Sequence, residues 1–306
     1  MISSPPRTGR ILVTGAGGLI GSRLVPRLRR AGHTVVRAVR RAVVSSDEVR
    51  WTPETGRLDP SPPLDGVVYL AGQSIDGPRW TKENKRRIWS SRVDASRALS
   101  QRLAESAAPP RAMVGTSGIG IYGDRGDEVL DESSPPGEGF FPDLAQAWEA
   151  ASDPLKAAGC RTVSLRLGLV LAREGGALPR LLIPARLGLG GPLGSGRQFW
   201  SWVTIDDVVA VLERALERPS LAGPVNVVAP QPLRQKDFAL VLGRVSRRPA
   251  IVPAPAFVLR MVLGEMADAA ILASARVLPR RLEEDGFRFT HPDLEGALRA
   301  VLQGPV

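Results

Sequence analysis

The sequence predicts an α/β fold in which helices cover both faces of a doubly wound parallel sheet. Short apolar runs rich in β-branched residues recur along the first half of the chain, as expected of buried strands. Stretches with helical periodicity lie between them, and this alternation implies right-handed crossovers between parallel strands. Glycines at 15, 18 and 21 separate the first apolar run from the first helical stretch. A glycine-rich turn at that point is typical of a Rossmann-type nucleotide site.

The composition fits a globular protein and excludes several classes. The 306 residues, 43% of them apolar, are enough for one large α/β domain and a smaller lobe. The single cysteine, Cys160, excludes an intramolecular disulfide, and two histidines, His33 and His291, argue against a His/Cys metal site. No apolar run approaches the roughly 18 residues that a membrane span needs. We therefore expect no bound metal and no membrane partner.

The first ten residues contain Pro5 and Pro6 and lack an apolar core. This pattern is typical of a flexible tail rather than of a signal peptide. A cytoplasmic location is expected.

The formal net charge of +10 raises the question of nucleic-acid binding. The basic residues are nearly all arginines and are scattered along the chain, with lysines only at 82, 85, 156 and 236. Scattered arginines favour a solvated basic surface over a nucleic-acid site. We expect no nucleic-acid partner, a small-molecule substrate, and a monomer or homodimer.

The first strand, helix and intervening turn carry the nucleotide prediction. The strand covers residues 11–14, and the helix extends through residue 31. Gly15 permits a tight turn, Gly18 allows the backbone to approach a pyrophosphate, and Gly21 lets the helix pack closely on the strand. The free N–H groups and positive dipole end of the helix attract phosphates.

The end of the second strand, 34–39, predicts which dinucleotide binds. Folds that prefer NAD usually place an acidic residue there to bind the ribose 2′-OH, whereas an arginine suits a 2′-phosphate. This strand ends in Val39, Arg40 and Arg41, and the next acidic residue is Asp47. Because a guanidinium matches a phosphate dianion, the sequence predicts NADP(H) rather than NAD(H). A solvated strand end is the alternative interpretation of these arginines.

Strands and helices continue to alternate up to residue 167. A short strand is possible at 49–51, and a buried strand at 67–70 ends in Ala71 and Gly72, whose small size would let a cofactor lie against the backbone. Helices are predicted near 82–90, 93–105 and 144–158, and strands at 112–116 and 162–167. The strand at 112–116 leads into Ser117.

Past residue 170 the chain becomes glycine-rich, at 174–176 and 188–196. Helices are predicted at 208–216, 236–245, 256–278 with interruptions, and 293–302, with a strand at 225–228. The predicted division is a flexible tail at 1–10, an NADP-binding Rossmann domain at 11–172, and a smaller mixed α/β substrate lobe with a helical C-terminal region at 173–306. The chain can recross between the two lobes.

Several motifs resemble those of one protein family. The longest is LGLGGPLGSGRQ at 187–198, and the others lie at 14–21, 70–72, 79–80, 91–93, 121–127, 148–149, 201–202, 205–207, 277–279 and 286–287. The chain resembles the SDR39U1/YfcH-type group of epimerase-family proteins, which are atypical extended short-chain dehydrogenases/reductases. The resemblance covers nearly the whole chain. It implies an NADP(H)-binding oxidoreductase or a nucleotide-sugar-epimerase-like enzyme with a small polar substrate.

The resemblance also implies which residues contact the cofactor. They are Gly15, Gly18, Leu19, Ile20, Gly21, Val39, Arg40, Leu70, Ala71, Gly72, Arg87 and Arg92. An arginine that faces the cofactor would complement its phosphates. A solvated helix face is the alternative for Arg87 and Arg92.

The usual catalytic pair of short-chain dehydrogenases/reductases is absent. In active members a tyrosine moves the proton and a lysine four residues later lowers its pKa, while a serine steadies the substrate oxygen. No Tyr-x-x-x-Lys occurs in this chain. Aligning Glu149 with the acid that often follows the motif places Phe141 at the tyrosine position and Ala145 at the lysine position. Ser117 remains as the candidate serine, with a strand-end turn as its alternative role.

Two interpretations follow from the missing pair. An unusual acid or base could serve, with Tyr122, Asp124 and Asp143 as candidates. Alternatively, the protein binds or senses NADP(H) without ordinary turnover.

The segment 190–198 is predicted to form a flexible wall over the substrate site. Arg197 and Gln198 could bind a polar or anionic substrate, as in related nucleotide-sugar epimerases. Trp202 is a further candidate, although core packing is the favoured role for its ring.

Overall fold

The computed structural model describes residues 8–75 and 80–303. Arg79 and residues 1–7 of the predicted tail lie outside the described residues. In the described part of the chain the strands are β1 (Arg10–Thr14), β2 (Thr34–Val39), β3 (Glu48–Thr52), β4 (Arg57–Leu58), β5 (Gly66–Tyr69), β6 (Ala112–Gly118), β7 (Val129–Leu130), β8 (Arg161–Leu167), β9 (Leu169–Leu171), β10 (Phe199–Trp200), β11 (Trp202–Thr204), β12 (Gly223–Val227), β13 (Leu233–Arg234) and β14 (Arg276–Val277).

The helices of the same residues are α1 (Gly21–Arg30), α2 (Lys82–Trp89), α3 (Ala95–Ala104), α4 (Phe140–Ala150), α5 (Asp153–Ala157), α6 (Leu178–Arg186), α7 (Ile205–Glu217), α8 (Gln235–Ser246), α9 (Ala256–Leu263), α10 (Arg280–Glu284) and α11 (Leu294–Gln303). Two π-helical segments cover Ser90–Asp94 and Ala267–Leu272, and a 3₁₀ turn covers Ile119–Tyr122. None of the helices in the described ranges combines the length and apolar composition that a membrane span needs.

The main sheet confirms the predicted fold class. Its strand order is β12-β8-β6-β5-β1-β2-β3-β4, and every neighbouring pair is parallel except β3 with β4. The strand order reverses at β1, because β2 lies on one side of it and β5 on the other. In a doubly wound sheet, ligands bind at the carboxyl ends of the strands near such a reversal.

The side chains of β1 alternate between two apolar cores. Ile11 and Val13 pack against α1 and α7 on one face of the sheet, and Leu12 packs against α3 and α5 on the other. This alternation follows from the two-residue period of a strand. Because both faces are covered, the strand reads as a continuous apolar run.

Four predicted helices differ from the structure. The predicted helix at 144–158 is two helices, α4 and α5, and Pro154 lies in the first turn of α5, where its missing N–H costs nothing. The helices predicted at 82–90 and 93–105 form one helical run through the π-helical segment Ser90–Asp94. The interrupted helix predicted at 256–278 ends at Leu263, because Gly264 adopts a φ of +63°.

The second lobe has its own core around Trp202, formed with Trp200, Phe238 and residues of α6, α8 and α11. The chain nevertheless returns to the main sheet after residue 173. Strand β12 pairs with β8, and α7 packs on the same face of the sheet as α1. The two lobes are therefore joined by several passages of the chain.

Candidate functional site

The glycine loop at 15–21 has a geometry that other residues could not adopt without strain. Gly15 has a φ of +66°, and a Cβ atom there would lie 2.7 Å from the carbonyl oxygen of Leu70. A Cβ atom on Gly21 would lie 2.3 Å from the carbonyl oxygen of Gly15. Gly17, in contrast, has open space around it and is exposed. The turn thus depends on glycines at defined positions, and it brings the end of β1 close to the start of α1.

The loop leaves the positive end of α1 open. The first turn of α1 contains no acidic residue, so its free N–H groups keep their attraction for an anion. Leu19 lies beside the 174–176 turn, since a Cβ atom on Gly175 would be 3.3 Å from the Leu19 Cδ1. Arg23 pairs with Glu174 and Asp206, at 2.9 Å each. Residues that follow 173 therefore contact the glycine loop and the start of α1 directly.

Three arginines at the end of β2 have different surroundings. Arg37 donates to Asp47 and holds the pKa of that carboxyl well below its usual range. Arg41 donates to the buried Glu48 carboxylate and lowers its pKa by that hydrogen bond. Arg40 is exposed and has no partner among the residues that the structure describes. Both nearby acids are occupied, so Arg40 is the cation available to an incoming phosphate.

The carboxyl end of β5 is tied to β1. Thr14 Oγ1 accepts hydrogen bonds from the N–H groups of Leu70 (3.1 Å) and Ala71 (3.2 Å). These bonds hold the 70–72 segment beside the glycine loop. A Cβ atom on Gly72 would lie 3.2 Å from the guanidinium carbon of Arg92, which places this arginine next to the same segment.

Arg92 is a buried cation without a carboxylate partner among the described residues. It lies in the π-helical segment between α2 and α3, and such segments recur at functional sites. Its Nε has no hydrogen-bond partner, and its Nη1 makes two long contacts of 3.4 Å, with the Ile88 carbonyl oxygen and with Ser91 Oγ. Its guanidinium lies over the Trp148 ring at 5.1 Å. Burial lowers the pKa of Arg92 to about 10, so the group stays charged at neutral pH.

Arg87, the other predicted basic contact, behaves differently. It is exposed and pairs with Glu83 one turn earlier on the same helix. It does not line the cavity described next.

A cavity of about 540 Å³ opens at the carboxyl ends of β6 and β8. Its walls are mainly aliphatic and aromatic and come from both lobes; examples are Leu144, Trp148, Leu167, Leu181, Leu263 and Met266. Ser117 and Arg92 are among its few polar lining residues. Sites of about 300–1,000 Å³ with apolar walls and few polar groups are typical of small-molecule binding.

Ser117 begins a buried chain of hydrogen bonds. Its Oγ donates to Glu149 Oε1 at 2.8 Å, and Glu149 accepts two hydrogen bonds from Arg166, at 2.8 and 2.9 Å. Arg166 also donates to the Tyr122 hydroxyl at 3.0 Å, which in turn donates to Asn226 Oδ1 at 2.7 Å. Burial favours a lower pKa for Arg166, but its hydrogen bonds and charge interaction with Glu149 outweigh burial and raise it.

The two predicted catalytic residues lie at different points of this hydrogen-bond network. Ser117 lines the cavity, whereas Tyr122 is completely buried outside its lining. Burial raises the pKa of the Tyr122 hydroxyl, and both of its hydrogen-bonding roles are taken. The geometry therefore favours a structural role for Tyr122 over a role as an acid or base. Asp124 likewise accepts hydrogen bonds from backbone N–H groups, including that of Ser274.

The positions aligned with the usual tyrosine and lysine both line the cavity. Phe141 and Ala145 lie one turn apart on α4, with Glu149 one turn further. Phe141 packs edge-on against Trp80 with 4.8 Å between ring centroids. The cavity wall is apolar where the proton-transfer pair would stand.

The three predicted substrate residues do not line this cavity. Arg197 is exposed, and its carbonyl oxygen accepts a hydrogen bond from Arg234. Gln198 is buried and donates to the carbonyl oxygens of Leu193 (3.0 Å) and Ile271 (3.2 Å). Trp202 is completely buried, and its indole donates to the Gln231 carbonyl oxygen. The side chains of Gln198 and Trp202 and the backbone carbonyl of Arg197 are therefore used in contacts within the protein.

The predicted flexible wall at 190–198 is tied to a neighbouring segment. Val252 N–H donates to the Gly190 carbonyl oxygen at 3.0 Å, and Ala254 N–H donates to the Pro192 carbonyl oxygen at 2.8 Å. Within this wall Leu193 reaches the cavity, as do the following residues Phe199 and Trp200.

Sequence reasoning missed Leu144 and Trp148, although a signal was present. Both lie on the same face of α4 as Phe141 and Ala145, because residues three or four apart share a helix face. The walls supplied by α6 and α9 had no comparable signal. Within the described ranges, His, Cys, Asp and Glu form no group of three that could hold a metal ion.

Comparison with known proteins identifies the family. The model of the NAD dependent epimerase/dehydratase family matches residues 11–228, and that of a domain of unknown function (DUF1731) matches residues 254–301. The chain belongs to the NAD dependent epimerase/dehydratase family. An epimerase family protein of Mycobacterium bovis is 39% identical over 290 residues, which are 94% of this chain and 96% of that protein. The predicted resemblance is confirmed.

Two solved structures of family members resemble this one. The human epimerase family protein SDR39U1, crystallised with NADPH, is 34% identical with a TM-score of 0.88, and the match covers 97% of this chain and all of that one (100%). A nucleoside-diphosphate sugar epimerase from Corynebacterium glutamicum is 31% identical with a TM-score of 0.76, over 95% of this chain and 57% of that one. A nicotinamide cofactor is thus supported for this family member.

Proposed function

We propose that this protein is an NADP(H)-dependent oxidoreductase or epimerase that acts on a small molecule. The observation that carries the cofactor choice is Arg40, the arginine at the end of β2 that Asp47 and Glu48 leave without a partner. An exposed, unpaired guanidinium at this position suits a 2′-phosphate. The relative crystallised with NADPH supports the same choice.

The residues present fit a dinucleotide. The glycine loop leaves no room for a Cβ at Gly15 and Gly21, which keeps the backbone and the α1 end close to a pyrophosphate. The other predicted cofactor contacts are Leu19 and Ile20 within this loop, Val39 at the end of β2, and Leu70, Ala71 and Gly72 after β5. When bound, the nicotinamide supplies hydride transfer. The protein's part is to orient it and to exclude water from the apolar cavity.

Ser117 is the residue that we propose to contact the reacting oxygen. Its hydroxyl hydrogen is committed to Glu149, so its oxygen is left to accept a hydrogen bond from a substrate hydroxyl. Glu149 is held by Arg166 and orients Ser117 from behind. This gives the cavity one fixed polar group at the position where the carboxyl end of β6 meets it.

Binding or sensing of NADP(H) without turnover is the second candidate function. The observation that favours it is the apolar wall at Phe141 and Ala145, which provides no proton donor. Oxidation of bound NADPH by a metabolite, abolished in Ser117→Ala, would refute this candidate.

Titration with NADPH and NADH tests the proposal. Wild-type protein should bind NADPH more tightly than NADH. Arg40→Ala should lower the affinity for NADPH by about tenfold or more, because one charge-assisted contact is lost, and should leave the affinity for NADH unchanged. Arg30→Ala, at the far end of α1, is the matched control and should change neither. Equal affinities of the wild type for both nucleotides, or tighter NADH binding, would contradict the NADP(H) assignment.

A further inference from the structure

The cavity walls are mainly apolar. Aspartate and glutamate are absent from the described residues that line them, and most of the lining is aliphatic or aromatic. The polar side chains in the lining are those of Arg92, Ser117, Arg180 and Ser201. Arg180 already has an interaction of its own. Ser201 is also occupied, since its Oγ donates to the Ala275 carbonyl oxygen at 2.9 Å and accepts from the Val277 N–H at 2.9 Å. Few groups therefore remain to satisfy the hydroxyls of a polar ligand.

Arg92 adds an uncompensated positive charge to this apolar space. It is 7% exposed, lines the cavity, and has a buried Nε that nothing in the described chain accepts from. A buried charge without a partner is costly, and an orphaned buried donor costs about 1–3 kcal/mol. A ligand that brings an anionic group to Arg92 would remove both penalties at once.

The wall supplied by α9 extends the apolar character. Leu259 and Leu263 line the cavity, while Phe257 and Val262 of the same helix are exposed. None of the residues of α9 is buried. Helix α9 therefore presents apolar side chains both to the cavity and to the solvent.

We propose that the cavity takes a largely apolar molecule with a single anionic group, such as a carboxylate, and that Arg92 is its countercharge. The proposal rests on the proposed function in that this molecule would be the substrate beside the cofactor. It assigns Arg92 to the second ligand instead of to the cofactor phosphates. It also departs from the predicted small polar substrate, because each sugar hydroxyl left unpaired in such a cavity costs about 1–3 kcal/mol.

Probes that differ in one chemical property separate these possibilities. NADPH-saturated protein is titrated by calorimetry with octanoate, with octan-1-ol and with UDP-glucose. We expect octanoate to bind about tenfold or more tightly than octan-1-ol, since a charge-assisted hydrogen bond is added, and UDP-glucose to bind more weakly than octanoate. Absence of octanoate binding, equal binding of octanoate and octan-1-ol, or tighter binding of UDP-glucose would each overturn the proposal.

Variants assign the effect to Arg92. Arg92→Met should reduce octanoate affinity to the level of octan-1-ol without weakening NADPH binding, whereas Arg86→Met, at an exposed position of α2, should change neither affinity. Loss of NADPH affinity in Arg92→Met with octanoate binding retained would instead assign Arg92 to the cofactor. Thermal unfolding of each variant checks that it folds. Titrating octanoate into cofactor-free protein keeps the two proposals separate, since octanoate binding without any NADPH binding would contradict the proposed function alone.

Discussion

The glycine loop offers a ligand its backbone, whereas helix α4 meets the cavity through side chains alone. In the loop, Gly15 and Gly21 leave space that any Cβ would fill, and the open end of α1 supplies the charge. On α4, Phe141 and Ala145 stand where a proton-transfer pair is usual in related folds. A backbone site admits very few residue types, while a side-chain site can change its chemistry without changing the fold. The two regions therefore carry different information about function.

Loss of the Glu149 charge is the change with the largest expected effect on stability. Glu149→Gln leaves Arg166, whose side chain is 9% exposed, without its carboxylate partner. Breaking a buried pair in this way should lower the free energy of unfolding by about 3–5 kcal/mol. Urea unfolding measures this loss. Glu83→Gln removes the exposed pair with Arg87 and should cost less than about 1 kcal/mol. Similar losses in both variants would show that the chain behind Ser117 is not a structural support.

A methyl group at Gly21 should disable the nucleotide side of the site. Because its Cβ would lie 2.3 Å from the Gly15 carbonyl oxygen, Gly21→Ala forces the loop to shift. We expect NADPH affinity to fall on the order of 100-fold, or about 2.7 kcal/mol, in a fluorescence titration. Gly17→Ala points into open space and should bind normally. Equal affinities of the two variants would refute the backbone account of this loop.

A lysine at position 145 probes the apolar side. Ala145→Lys places an ammonium group against the apolar cavity wall, where Glu149, the carboxylate one helical turn away, is already paired with Arg166. The variant should lower the free energy of unfolding by about 2 kcal/mol. Gln146→Lys, the exposed neighbour on α4, should be nearly neutral. Chemical denaturation measures both. If the two lysines are tolerated equally, the wall is more polar than its side chains indicate.

Removal of the Tyr122 hydroxyl should have the smallest effect. Tyr122→Phe deletes the bonds with Arg166 and Asn226 and should cost about 1 kcal/mol, with NADPH affinity unchanged. Because burial raises the pKa of Tyr122, its contribution to stability is present below the usual tyrosine pKa of about 10 and declines at higher pH. In the variant, the free energy of unfolding should therefore fall less steeply as the pH rises above about 10. A weakened NADPH affinity would return Tyr122 to the functional site.

The geometry of the glycine loop could be predicted because its signals are local. Strand β1, the glycine spacing and the start of α1 all lie within residues 10–21, and Arg40 follows the next strand directly. The partners of Tyr122 and Gln198 could not be predicted because their polar atoms could equally well face a ligand or a distant part of the chain. The burial of Trp202 agrees with the core packing that was favoured for its ring. The partner of the Tyr122 hydroxyl, Asn226, is 104 residues away, and no periodicity or spacing specifies that contact. The helical run through 90–94 was divided for a related reason, since a π-helical turn breaks the 3.6-residue period.

The place of β12 at the edge of the main sheet has a consequence for how the chain folds during synthesis. The buried strand β8, with Val163 and Leu165, completes its outer pairing only with residues 223–227. While the ribosome is still making the intervening segment, this edge of the nascent sheet stays open, and open apolar edges recruit other chains. A fragment that stops at residue 172 would keep that edge permanently. The nucleotide-binding part of this protein is therefore expected to depend on its later residues to remain free of aggregation.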